Sequence, residues 1–76
     1  MEHAAKIRAI GLRLRRLRDE QNLSQEELSY ISNVSKPTIQ RIEKAETAAR
    51  LDVLISIAEA LKMPLHDFVR VENGPN

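Results

Sequence analysis

Apolar residues recur every three or four positions along most of the chain, and the breaks between those runs predict five helices. From Ala4 to Gln21 one stripe holds Ile7, Ile10, Leu14 and Leu17, while Arg8, Arg13, Arg15 and Arg16 fall on other faces. Asn22 suits the left-handed residue that ends a helix, with Leu23 tucked in behind it. Ser24-Gln25-Glu26-Glu27 has the form of a capping box, a strong start signal. Leu28 and Ile31 then make an i, i+3 apolar pair, and residues 32–35 interrupt the pattern. Lys36-Pro37-Thr38 opens the next helix, with Ser35 or Lys36 as its cap and proline tolerated in the first turn. Ile39 and Ile42 point inward there, which leaves Lys36, Thr38, Gln40, Arg41 and Lys44 on or near the outer face. After a loop over 45–49, a fourth helix near Arg50 to Leu61 carries Leu51, Leu54, Ile57, Ala58 and Leu61 on its stripe, with Val53 and Ile55 off it. Lys62-Met63-Pro64 breaks the pattern, and a short last helix over 65–70 buries Leu65 and Phe68. The tail, 71–76, is expected to be flexible.

Composition agrees with an all-α fold. Aromatic residues make up only 3% of the chain, whereas Leu, Ile and Ala are plentiful, and strands favour aromatic and β-branched side chains. At 76 residues there is room for one hydrophobic core, so residues 1–76 are expected to form a single domain with its core over about 6–70. With no cysteine and only His3 and His66, neither a thiolate nor a histidine metal site is expected, and no cofactor. No apolar run is long enough for a signal sequence or a membrane span, which predicts a cytoplasmic protein with no membrane partner. The chain also lacks a glycine-rich phosphate loop, a nucleophile–base spacing and a catalytic carboxylate pair, so an enzyme is not expected.

Net charge is only +1, but its placement is uneven. Residues 1–44 hold nine Lys/Arg against six Asp/Glu, a balance of +3, and residues 45–76 hold three against five, a balance of −2. The positive half contains two short helices joined by a tight turn over about 24–44, the second of them with a polar, cationic face. A DNA major groove, about 12 Å wide, admits one such helix while the preceding helix braces the backbone.

These segments resemble the lambda-repressor-like, or Cro-type (xenobiotic-response-element), helix-turn-helix domains. The resemblance runs from about Ile10 to Phe68 and rests on GLRLRRLR from Gly11, LSQEEL from Leu23, VSKPTIQRIE from Val34 and LISIAEAL from Leu54. It implies a five-helix domain that binds a double-stranded DNA operator as a transcriptional regulator, as phage repressors and restriction-modification controllers do. It also implies that Lys36, Pro37, Gln40 and Arg41 read bases and that Gln25 donates to a phosphate; Ser24, Thr38 and Lys44, polar or basic residues of the same helix pair, are further phosphate candidates. Arg18, closing the first helix, pairs in such domains with the glutamate ending the reader helix, here Glu43.

Two departures bear on this. Asn33 stands where the turn usually has glycine, and asparagine also tolerates positive φ. Ala45 stands where glycine commonly ends the reader helix, so that helix is expected to finish differently or run on. The loop 46–49 lacks the usual basic residues, with Arg50 its nearest cation and fewer phosphate contacts expected.

Each assignment has a plainer counterpart. Arg41 offers a planar donor fork that matches guanine O6 and N7, yet it is also an ordinary surface charge. Lys36 reaches either base or phosphate, Gln40 either adenine or water, and Pro37 is chiefly a first-turn residue. Arg13, Arg15 and Arg16 form either a backbone-binding patch or, more commonly, the wet side of an amphipathic helix. Val53, Ile55, Val69 and Val71 are candidates for a homodimer contact, which the affinity of one small module for an operator would require. A different class of function also fits the low net charge and acidic second half: an antitoxin or other protein-interaction module whose main partner is another protein.

Overall fold

In the computed structural model, which describes residues 3–71, the stripe of Ile7, Ile10, Leu14 and Leu17 lies along α1 (Ala4–Glu20). Four helices follow: α2 (Gln25–Ser32), α3 (Lys36–Glu43), α4 (Leu51–Ala60) and α5 (Leu65–Phe68), and no strand occurs among the described residues. The chain is all-α, with α1 and α2 packed against α3, and α4 against α2 and α5. Of the expected tail only Val71, half-buried, is among the described residues; 72–76 lie outside them.

The core is made of Leu14, Leu17, Leu28, Val34, Ile39, Ile42, Ile57, Ala58, Leu61 and Phe68. Phe68 is fully buried although α5 has only four residues. Arg13 holds that turn in place: its Nε donates to the Phe68 carbonyl at 2.9 Å and its Nη2 to the Asp67 carbonyl at 2.7 Å. Similarly, Gln21 Nε2 donates to the Leu61 carbonyl at 2.9 Å, tying the end of α1 to the end of α4.

Two residues differ from their periodicity. Ile31 is 51% exposed, because the inward position one turn after Leu28 is Ser32 instead. A buried serine serves there because its hydroxyl accepts from the Val34 amide at 3.2 Å, closing the turn that leads to α3. Leu51 is 62% exposed: it stands in the first turn of α4 at the edge of the buried stripe, whose centre runs through Leu54, Ile57 and Leu61. Val53, by contrast, packs partly against the core.

Helix ends are set by left-handed residues. Asn22, Asn33, Ala45 and Lys62 have φ between 58° and 62°, and none is glycine. Ala45 therefore ends α3 where glycine would: its amide reaches the Ile42 carbonyl at 3.0 Å and the Glu46 amide reaches the Arg41 carbonyl at 2.9 Å. The helix does not run on.

The glycine that matters is Gly11, in the middle of α1. A Cβ at this position would stand 3.1 Å from the Glu43 carbonyl oxygen and closer still to that of Ile42, so the α1 backbone rests on the last turn of α3. Gly11→Ala is expected to destabilise the domain by about 1 to 3 kcal/mol through overpacking, against the helix-propensity gain of ~1 kcal/mol that alanine would otherwise bring. A melting temperature raised by this substitution would show that the two helices are not in backbone contact. At the other end of α3, Ala45→Gly relieves a left-handed alanine and should stabilise by about 1 kcal/mol, or about 4 to 8 °C for a domain this size. A lowered melting temperature would contradict the conformation of Ala45.

Candidate nucleic-acid interface

The helix pair is assembled from its caps. Ser24 Oγ accepts from the Glu27 amide at 2.9 Å, and Glu27 Oε1 accepts from the Ser24 amide at 2.8 Å. These hydrogen bonds, the backbone one foremost, hold the Glu27 carboxyl below the usual glutamate range. The α2–α3 turn comprises Asn33, Val34 and Ser35, with Asn33 left-handed and Val34 buried as an anchor. Ser35 is the α3 cap: its hydroxyl accepts from the Thr38 amide at 3.3 Å and lies 2.7 Å from Thr38 Oγ1.

Ile39 and Ile42 are buried, so the opposite side of α3 faces out. Lys36, Pro37, Arg41 and Lys44 are exposed, and Thr38 and Gln40 are half-buried. Lys36 Nζ lies 3.9 Å from Glu26, an exposed pair of little energetic weight. Arg41 and Lys44 make no ion pair among the described residues and remain available to an outside anion.

Behind this face runs a polar network that spans three helices. Arg18 Nε and Nη2 donate to Glu43 Oε2 and Oε1 at 2.8 and 3.1 Å, a bidentate pair, and Arg18 Nη1 donates to the Leu23 carbonyl at 2.7 Å. The side chains of Arg18 and Glu43 are only 11% and 5% exposed. The hydrogen bond to Glu43 raises the Arg18 pKa despite the opposing effect of burial, so the guanidinium stays charged. Gln25 Nε2 donates to Glu43 Oε1 at 3.1 Å, and Gln40 Nε2 donates to Gln25 Oε1 at 3.3 Å. Each glutamine nitrogen carries two hydrogens, and one of each remains for a ligand.

The residues singled out for base and phosphate contact thus share one surface: Ser24 and Gln25 from the start of α2, and Lys36, Pro37, Thr38, Gln40, Arg41 and Lys44 from α3. Of the arginine run, Arg13 does not share it. Arg13 belongs to the α5 contact described above, a role whose sequence signal is its place beside the buried stripe, three residues after Ile10 and four before Leu17. Gly11 is the other structural residue that periodicity alone does not reveal. The four dimer candidates are also unlike one another: Val53 and Val69 pack partly on the core, Ile55 is 39% exposed and Val71 half-buried. No group of three or more His, Asp or Glu side chains placed for a metal ion occurs among the described residues, and none of their helices is long and apolar enough to cross a membrane.

A helix-turn-helix family model matches residues 14–68. Two archaeal relatives are named as HTH-type transcriptional regulatory proteins: one from Pyrococcus furiosus is 39% identical over 59 residues, and one from Pyrococcus horikoshii is 36% identical over 59 residues. The match covers 78% of this chain and 19% of each relative, so the chain spans about a fifth of their length. Among solved structures, the restriction-modification controller protein C.AhdI from Aeromonas hydrophila superposes with a TM-score of 0.81 at 28% identity, over 84% of this chain and 97% of that one.

Because the Arg18–Glu43 pair is desolvated, removing one member strands the other. Arg18→Met should cost about 3 to 5 kcal/mol in urea unfolding, and adding Glu43→Leu should restore most of that loss. A single variant as stable as the wild type would mean that the pair is solvated.

Proposed function

The chain belongs to the helix-turn-helix family, and from that premise we propose that it is a sequence-specific DNA-binding transcriptional regulator that inserts α3 into the major groove. The single observation that carries this reading is the two-sidedness of α3. Its isoleucines are fully enclosed, whereas Arg41 and Lys44 project outward with no internal ion pair. Side chains on the first turns of a helix so placed reach base edges, and Arg41, Gln40 and Lys36 have the donor chemistry for it. Pro37 contributes apolar contact beside them. Gln25 at the start of α2 presents its second amide hydrogen to a phosphate, and the Ser24 and Thr38 hydroxyls and Lys44 add contacts to the same backbone.

The likeness to a restriction-modification controller supports a small operator-binding regulator of that kind. One such module makes few phosphate contacts, so the proposal includes a two-fold dimer on a pseudo-palindromic site with half-sites about one helical turn apart. Ile55, with Leu51 one turn before it, is the most exposed apolar pair on α4 and the best-placed of the dimer candidates. Val71 lies beyond α5, and Val53 and Val69 would contribute only their uncovered edges.

Selection of bound fragments from random DNA tests this reading, and it should recover one symmetric motif. On that motif Arg41→Ala should cost about 1 to 3 kcal/mol and relax preference at one base pair in each half-site. Unchanged affinity and preference would remove Arg41 from the interface, and failure to enrich any motif would defeat sequence-specific recognition.

A further inference from the structure

We propose that the cleft between the first turns of α1 and the loop after α3 is a second binding site for the DNA backbone, with Arg8 as its cation. This rests on the DNA-binding reading above and extends it to a part of the surface that neither the helix pair nor the loop's own sequence points to.

The site follows from the close approach at Gly11. With the α1 backbone resting on the last turn of α3, the preceding turns of α1 run alongside the loop that follows α3, and Ile7 and Arg8 line a cleft with residues 45–48. Arg8 is exposed and forms neither an ion pair nor a side-chain hydrogen bond among the described residues. The left-handed end of α3 engages the Ala45 and Glu46 amides with helix carbonyls, and it leaves the Thr47 and Ala48 amides without a backbone acceptor. A free guanidinium lining the same cleft as two residues whose amides have no backbone acceptor offers the donors that hold a phosphodiester oxygen.

Position argues the same way. A helix in the major groove has a phosphate backbone on either side. Ser24 and Gln25 flank α3 from α2, and the Arg8 cleft flanks it from α1. The loop itself contains no cation between Lys44 and Arg50, and Arg8 supplies that missing charge from another helix. Glu46 is the one acid lining the cleft; it makes no ion pair with Arg8 within 4.0 Å, and it limits the contact to a single phosphate.

The test is fluorescence anisotropy of the full chain on two labelled duplexes, one recovered by selection and one scrambled, over a series of KCl concentrations. Arg8→Ala should weaken binding to both duplexes by the same factor and reduce the slope of log K against log salt by about 0.9 for each bound chain, the loss of one phosphate contact per protomer. Arg8→Lys should keep the slope. Arg41→Ala should act on the selected duplex far more than on the scrambled one. Arg70→Ala, which removes the same charge beyond α5, should leave the slope unchanged. If Arg8→Ala binds like the wild type, or Arg70→Ala loses as much as Arg8→Ala, the site is overturned while the reader-helix assignment stands. If the wild type shows no salt-dependent binding to either duplex, the DNA-binding reading itself fails and the site with it.

Discussion

The orientation of α3 depends on one guanidinium. With eight residues, α3 has barely two turns and two enclosed isoleucines, and apolar contact alone is non-directional, so it does not prevent a helix from rolling about its axis. Arg18 supplies the direction. It grips both oxygens of Glu43 and the Leu23 carbonyl, so the end of α3 and the segment entering α2 are referred to the same side chain on α1. Gly11 sets the distance at which this grip operates, by letting the two backbones touch. A buried ion pair is weak support for stability as such, since a well-packed apolar replacement often does as well. Here its contribution is angular: it determines which residues of α3 look outward.

Around that pin the fold is built from pieces that would not persist alone. Isolated helices of four to ten residues are marginal in water, and α2 through α5 all fall in that range. Their ends are held by cap hydrogen bonds and by left-handed residues at Asn33, Ala45 and Lys62. The asparagine bears that conformation easily, whereas alanine and lysine are strained in it. Packing around Phe68 and Leu28 offsets the strain, and Arg13 closes the far end by binding the last carbonyls of α5. Arginines that look alike in the sequence therefore do different physical work: Arg18 orients, Arg13 caps and Arg8 stays free.

Much of this was legible beforehand, for identifiable reasons. Helix positions follow from the apolar period and the Ser24 box, both of which are local, and the outer face of α3 follows from Ile39 and Ile42. Exposure of Ile31 and Leu51 was not legible, because a period places a residue on a face without saying how far the neighbouring helix extends over it. Ser32 took an inward position through the needs of a turn amide, a hydrogen-bond constraint to which hydropathy is blind. The contacts of Gly11 and Arg13 join residues about 30 and 55 apart along the chain. The end of α3 at Ala45 depended on a competition between local strain and the gain from the loop's path to α4, which only the assembled structure resolves.

The bond from Gln40 to Gln25 has a consequence for how such a protein changes over generations. In the proposed complex Gln40 faces the groove, yet its partner on α2 also holds Glu43, the acid that pins the helix. A new residue at position 40 that alters the preferred base also releases the Gln25 side chain, and so shifts the brace that sets the helix angle. Novel operator preferences in this lineage are thus expected to arise by paired replacement at 25 and 40, with intermediates that grip DNA less well than either endpoint.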